Sequence, residues 1–327
     1  MSKGPANNSS EDRGSTAFDQ AMAILASRAS VDEVRNSAAL LSQASAAGNG
    51  AASERLAVVT AMGLIASPDW ERALDLLALA ARQGDQQASE QLQLLAEPAR
   101  YPIAALDLPA IDALRAGIDL DARLSAPAAE TVRAGPLIRH HSGFATRPEC
   151  DWLIRSALAK LQPATVFDKD SGEQIEHPVR SNHSVCYQIA DLELLAEVMR
   201  ARISAATRVP IPFFEPPQVF RYAVGEQFRE HVDYFDPSIP GYDEEIAQHG
   251  QRVGTFLLYL NDEYTGGETA FPACDLNWRG RAGDGLFFAN VDRDGQPDRR
   301  AVHAGTPPTS GEKWILSQWI RDRVPVA

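Results

Sequence analysis

Arg221-Tyr-Ala-Val-Gly-Glu-Gln-Phe-Arg-Glu-His-Val-Asp-Tyr-Phe235 is an apolar-alternating run that sets His231 and Asp233 two residues apart. On a strand, residues two apart face the same way. An imidazole and a carboxylate on one face supply two ligands to a transition metal. A third protein ligand elsewhere would leave three open positions on octahedral iron, the arrangement of the 2-His-1-carboxylate facial triad.

The chain downstream adds landmarks in a fixed order. Val253-Gly-Thr-Phe-Leu-Leu-Tyr-Leu260 reads as a strand, followed by the turn-rich Gly266-Gly-Glu-Thr-Ala-Phe-Pro272, then Ala282-Gly-Asp-Gly-Leu-Phe-Phe288, then His303-Ala-Gly-Thr-Pro-Pro, with Lys313 ten residues on. Upstream stand Pro148-Glu-Cys-Asp-Trp-Leu-Ile154, Val179-Arg-Ser181 and Glu215-Pro-Pro-Gln-Val-Phe-Arg-Tyr222, and the series ends in Gly311-Glu-Lys-Trp-Ile-Leu-Ser-Gln-Trp-Ile320. From about Pro136 to Arg323 this order resembles the 2-oxoglutarate and iron-dependent oxygenases of the prolyl 4-hydroxylase type.

The resemblance implies a double-stranded β-helix, or jelly roll, with iron at its mouth held by His231, Asp233 and His303. It implies 2-oxoglutarate as cosubstrate, chelating the iron at its keto-acid end, and ascorbate as reductant. Lys313 would meet the distal carboxylate; in the alternating run from Lys313 to Trp319, Lys313, Ile315, Ser317 and Trp319 share a face. A buried ammonium is costly unless paired, which favours such a partner. Tyr259 matches a phenol offered to that carboxylate, Tyr222 a phenol near the keto end, and Ser317 a further cosubstrate contact. Retention of Asp233 favours hydroxylation over halogenation, since halogenating relatives lack that carboxylate. Arg180 matches a position that contacts peptide substrate. Phe228 stands where those enzymes usually carry tyrosine, and Arg321 where collagen-type enzymes carry histidine; with Trp319 these are expected to line the substrate channel. The implied reaction hydroxylates a prolyl or other peptidyl side chain and releases succinate and carbon dioxide. A hydroxylase of a free amino acid or small natural product uses the same ligands, and a helical-repeat adaptor with a non-catalytic jelly roll is the reading from another class.

Bulk properties narrow the partners. The chain has 327 residues, 44% of them hydrophobic, enough for two domains and a sizeable core. With 44 acidic against 31 basic residues the net charge is −13, which argues against nucleic acid or an anionic membrane as partner. Three widely spaced cysteines, Cys150, Cys186 and Cys274, fit neither a disulfide framework nor a zinc site, and a reducing cytoplasm suits them. Residues 1–17 are polar, without an apolar leader, and read as a disordered tail. Oligomeric state is not legible.

Residues 18–96 shift to Ala, Leu, Gln and Ser and repeat: Leu40-Leu41, Gly48, Ala52-Ser-Glu54 and Leu56 recur 36 residues on as Leu76-Leu77, Gly84, Ala88-Ser-Glu90 and Leu92. This resembles the tetratricopeptide-related Sel-one-like repeats. Residues 97–135, broken by prolines, read as a connector with one or two short helices, and 136–327 as the dioxygenase domain. The whole is expected to be α+β: an all-α repeat region, then a jelly roll buttressed by helices at Pro148–Leu161 and Leu192–Thr207. The repeats hold no proposed ligand and are expected to recruit a peptide or protein substrate, and a fragment starting near Ala96 is expected to fold. The acidic loop from Tyr234 to Gln251 is expected to act as a lid.

Overall fold

The computed structural model describes residues 8–27, 30–97, 99–100, 106–167, 174–175 and 179–324. Residues 1–7 of the expected tail, Pro98 and Pro102 of the connector, and residues 325–327 lie outside that description. The chain divides into two compact units: one takes it up to Ser125 together with Tyr187–Ala201, the other Ala126–Cys186 and the chain from Arg202 onward.

The first unit is helical: α1 (Asn8–Leu25), α2 (Val31–Ala46), α3 (Gly50–Met62), α4 (Trp70–Arg82), α5 (Gln86–Ala96), α6 (Leu108–Gly117) and α7 (Leu120–Leu124). The expected disordered tail is corrected here, because α1 begins at Asn8. Ala17, Ala21 and Leu25 recur every four residues and are buried, so one apolar stripe carries the helix. The 36-residue repeat is a structural repeat of the turn between paired helices. Gly48 (φ 93°) and Gly84 (φ 89°) both take the left-handed conformation. Asn49 and Asp85 follow as N-caps, their side chains accepting from the amides of Ala52 (2.9 Å) and Ala88 (2.8 Å). Among the described residues no helix is long and apolar enough to cross a membrane.

The inner polar groups of this unit are spent on Tyr187–Ala201, which carries the first part of the helix Leu194–Thr207. Arg55 donates to the carbonyls of Ile189 (2.9 Å) and Leu192. Gln91 accepts from the Leu195 amide at 3.0 Å and donates to Glu54 at 3.2 Å. Leu192, Leu194, Leu195, Val198 and Met199 are all buried. These bonds weigh against the expectation that a fragment lacking the repeats folds. Deleting residues 1–97 removes Arg55 and Gln91, which hold the segment carrying those five buried side chains, each worth about 1.5–3 kcal/mol if it becomes exposed. We expect the truncated chain in the insoluble fraction on expression while the full chain stays soluble; a soluble, cooperatively melting fragment would overturn this account.

The second unit is built on two antiparallel sheets. The larger has the order Glu130–Ala134, Leu137–His141, Gly285–Ala289, Arg252–Tyr259, Lys313–Arg321, Gln218–Tyr222, His183–Cys186 and Gln162–Pro163; the smaller has Leu276–Trp278, Thr269–Phe271, His303–Gly305 and Phe228–His231. Tyr222, Leu257, Tyr259, Phe271, Phe288, Ile315 and Trp319 form its apolar core. This is the jelly-roll architecture that the sequence leads one to expect. The unit starts at Ala126 rather than 136, because Glu130–Ala134 pairs with Leu137–His141 and so belongs to the sheet. The helices expected at 148–161 and 192–207 occur at Arg147–Leu158 and Leu194–Thr207. The first opens on a Thr146/Glu149 capping box, and Glu149 also pairs with Arg202 at 2.8 Å.

Register on the strand Lys313–Arg321 decides where the chemistry sits. Lys313 pairs with Tyr222, Ile315 with Tyr259 and Phe220, Ser317 with Leu257 and Gln218, Trp319 with Thr255, and Arg321 with Arg252. These residues lie on one face, so the row from Lys313 to Arg321 runs about 26 Å at the usual rise per residue.

Candidate active site

The strand Phe228–His231 pairs with His303–Gly305 so that His231 lies directly opposite His303. Their ring centroids are 4.2 Å apart. The strand ends at His231, and Asp233 sits in the bend beyond it, a departure from the single strand expected. There Gln251 takes over from the sheet, accepting from the Phe235 amide and donating to the Phe235 carbonyl, both at 2.7 Å. Asp233 still faces the imidazoles: its Oδ1 is 3.6 Å from His231 Nε2 and its Oδ2 3.6 Å from His303 Nε2. One donor atom from each of the three residues falls within 4.8 Å of the others.

Their protonation suits a cation. His231 Nδ1 lies 2.8 Å from the Arg229 carbonyl and His303 Nδ1 3.1 Å from that of Ala301. A carbonyl only accepts, so each Nδ1 carries the proton and each Nε2 presents a lone pair. Burial pushes His231 down to about 3, helped by the neighbouring His303, so its ring is neutral. Burial works to raise the Asp233 carboxyl, but the two imidazoles, the Thr255 hydroxyl and Arg252 outweigh it and hold the group below its ordinary value. Two imidazoles and one carboxylate, with no thiolate in the cluster, form a donor set suited to a divalent iron ion with three positions to spare.

Below the cluster lies Lys313, 1% exposed. Among the described residues its ammonium has one hydrogen bond, to Thr269 Oγ1 at 3.4 Å, and no carboxylate within ion-pair distance. Thr269 Oγ1 is also 2.8 Å from the Tyr259 hydroxyl. Burial pushes Lys313 down to about 7, with Glu268 opposing. Ammonium and phenol thus converge on a threonine that the motif reading had not singled out, in a pocket lined also by Tyr222, Leu257, Ile315, Ser317 and Trp319. The distal carboxylate of 2-oxoglutarate fits this ammonium, whose remaining protons lack acceptors. Tyr222 spans the gap between floor and cluster. Its ring is 5.3 Å from Lys313 Nζ, and its hydroxyl reaches Gly305, where an added Cβ would lie 3.2 Å from it.

Outside the cluster a cavity of about 810 Å³ is bounded by Arg180, Phe228, Trp319 and Arg321, the four residues expected at the substrate channel. Phe228 stacks on His231, centroids 3.5 Å apart and planes at 12°. Arg180 lies 4.8 Å from the rings of Phe228 and Phe220. Among the described residues its Nη2 and the Trp319 Nε1 are buried without hydrogen-bond partners. Arg321 is held in the cavity wall, its guanidinium engaged by Glu215, Glu245 and the Gly250 carbonyl. Arg252, missed in the sequence, makes a bidentate pair with Glu215 (2.6 and 2.7 Å) and lies 3.9 Å from the Trp319 ring. The expected lid loop holds the helix Tyr242–His249, whose Tyr242 and Glu245 border the cavity.

Known proteins match this picture. The family described as the 2OG-Fe(II) oxygenase superfamily matches residues 217–321. Probable prolyl 4-hydroxylase 7 of Arabidopsis thaliana is 30% identical over 207 residues, 57% of this chain and 62% of the relative. The match thus spans less than two thirds of that relative. Prolyl 4-hydroxylase 1 of the same plant is 31% identical over 208 residues, 59% of this chain and 72% of the relative. The viral collagen prolyl hydroxylase of Paramecium Bursaria Chlorella virus-1, solved as a 2OG complex, is 27% identical, with 56% of this chain and 95% of that one covered and a TM-score of 0.43. The span matched by the family holds all three clustered donors and Lys313, and on that match together with its curated relatives, which are prolyl 4-hydroxylases, the chain belongs to the 2-oxoglutarate- and iron(II)-dependent oxygenases.

Proposed function

We propose that this protein hydroxylates a prolyl or other peptidyl side chain, with His231, Asp233 and His303 holding ferrous iron and Lys313, Tyr259, Tyr222 and Ser317 framing 2-oxoglutarate. The observation that carries this reading is the incompletely hydrogen-bonded ammonium of Lys313, buried in the same pocket as the three donors. Bound there, iron and 2-oxoglutarate supply the oxidising chemistry, one oxygen atom entering a C–H bond while the cosubstrate leaves as succinate and carbon dioxide. Lys313 orients the cosubstrate by its distal end; Phe228 packs against the His231 ring and keeps water from that side. Ascorbate serves as reductant.

A peptide suits the outer cavity better than a free amino acid. The space is much larger than one residue needs, and the unpartnered donors of Arg180 and Trp319 match the acceptors of a peptide backbone. Mass spectrometry of proline-rich peptides, free amino acids and cell lysate after turnover should show one added oxygen on a peptide or protein; oxidation confined to a free small molecule would sink this reading. Recruitment of that protein by the helical unit belongs to the same proposal, through surface that the Tyr187–Ala201 segment leaves open. Cys150, Cys186 and Cys274 form no disulfide among the described residues, which supports a reducing, cytoplasmic setting.

The position of Lys313 predicts a pH dependence. Near pH 7 the free side chain is half deprotonated, whereas a bound dicarboxylate holds it charged, so binding above pH 7 must take up a proton. The dissociation constant of 2-oxoglutarate, measured calorimetrically with Mn(II), should be roughly fivefold weaker at pH 8 than at pH 7 and about tenfold weaker per further unit. Lys313→Arg, which cannot lose its proton, should flatten that slope. A flat wild-type profile from pH 7 to 9 would show that Lys313 is already fully charged.

A further inference from the structure

We infer that Thr255 and Asn290 are positioning residues that present Asp233 to the metal through a single oxygen. The inference rests on the metal reading of the triad and not on the identity of the substrate. Asp233 sets one oxygen 3.6 Å from each imidazole Nε2, Oδ1 towards His231 and Oδ2 towards His303. A cation among these donors therefore has both oxygens within reach, and nothing in the triad itself selects one. Thr255 breaks the tie, because its hydroxyl donates to Oδ2 at 2.6 Å.

The direction of that bond is set from behind. Asn290 Nδ2 lies 3.0 Å from Thr255 Oγ1 and can only donate, so the hydroxyl accepts there and its proton points at the carboxylate. Asn290 is fully buried, and among the described residues its own Oδ1 has no partner. An unpaired buried carbonyl oxygen is costly, so the amide is kept for the bond made by its nitrogen. Its backbone is fastened on both sides, donating to the Val253 carbonyl (2.9 Å) and accepting from the Asp298 amide (3.0 Å). The strand pairing that places Thr255 opposite Trp319 aims its side chain at Asp233 from the sheet facing the two histidines.

The consequence is one of coordination number. The hydrogen bond that Oδ2 accepts from Thr255 draws off the charge that would make it a second ligand, leaving Oδ1 as the donor. Asp233 then occupies one position and the triad three, so three remain for cosubstrate and oxygen. Without the hydroxyl, Oδ2 is released to chelate, and the position it takes is lost to 2-oxoglutarate.

The test uses the full chain loaded with Co(II), whose visible absorption reports coordination, and calorimetric binding of 2-oxoglutarate to that protein. Thr255→Val should change the Co(II) spectrum and weaken 2-oxoglutarate binding roughly 10–100-fold, the range seen on removing outer partners of metal ligands. Thr255→Ser should restore the spectrum and bind within about threefold of the wild type on the same grounds. An unchanged spectrum or unchanged 2-oxoglutarate affinity in Thr255→Val overturns the inference. If melting without metal shows that Thr255→Val does not fold, Asn290→Ala is read by the same two measurements, with a loss of about threefold or more expected and wild-type values overturning it. A wild-type protein that takes up no Co(II) overturns both this inference and the triad assignment beneath it.

Discussion

Replacing His303 with alanine is expected to reduce succinate formation to the level seen without added iron, a loss of more than about a hundredfold, since losing even an outer partner of a metal ligand costs roughly 10–100-fold. The argument rests on the economy of the site. With three protein donors, loss of one leaves two, and the remaining imidazole and carboxylate must hold the ion against water. The fold should survive. The imidazole is buried against Phe271 and Phe288, with ring centroids 5.8 and 4.6 Å away, and its removal leaves a small gap between rings that can adjust. The same outcome is expected for His231→Ala and Asp233→Ala. Thermal unfolding separates loss of metal from loss of structure. The wild type should melt higher with Mn(II) by mass action, whereas each variant should melt at one temperature with or without it. Normal succinate release from any of the three would remove that residue from the metal site.

Lys313→Met is expected to raise the 2-oxoglutarate concentration needed for half-maximal turnover by about a hundredfold, from a cost on the order of 3 kcal/mol for stranding a desolvated carboxylate. Methionine keeps the length and the apolar body of the side chain, so the packing around Tyr222 and Tyr259 is preserved while the charge goes. The direction of the stability change provides a second readout. Burial lowers the folded pKa of Lys313 to about 7, well under the value of a solvated lysine. Between those values the unfolded chain binds more protons, so this lysine disfavours folding most at low pH, and its penalty is relieved as pH rises from 7 towards the unfolded value. Lys313→Met without cosubstrate should therefore melt no lower than the wild type at pH 6, and the difference should shrink by pH 9. Mn(II) affinity should be unchanged, since the ammonium touches none of the three donors. An unaltered 2-oxoglutarate requirement would show that another cation meets the distal carboxylate.

The donors of this site were legible in the sequence because they are local or anchored to local landmarks. His231 and Asp233 are two residues apart, His303 opens a glycine- and proline-marked turn, and Lys313 begins an alternating strand whose face can be counted. Residues that act through partners far along the chain left no such mark. Thr255 meets Asp233 across 22 residues, Asn290 meets Thr255 across 35, and Lys313 meets Thr269 across 44. A threonine on a strand looks the same whether its hydroxyl is spent on a ligand or on nothing. The substrate side shows the same limit: Arg321 stood out as a departure from the collagen-type pattern, but only its three acceptors reveal that the guanidinium is committed to the wall.

The helical region divides in a similar way. Its 36-residue recurrence and its turns could be read directly, since a positive-φ glycine followed by a capping Asn or Asp is a local event. That its polar interior holds Tyr187–Ala201 could not be, because Arg55 and Ile189 are 134 residues apart.

By itself, then, the sequence determined which side chains can hold a cation and an anion, the strand periodicity that puts Lys313, Ile315, Ser317 and Trp319 on one face, and the helical pairs that precede them. Only the tertiary structure decided which residues stand opposite one another. A slip of one residue between Phe228–His231 and His303–Gly305 would turn one imidazole away from the other, and periodicity alone is blind to that shift. Register is set by the summed burial of Phe271, Phe288, Tyr259 and Trp319 in the core, a non-local quantity that no single stretch of the chain contains.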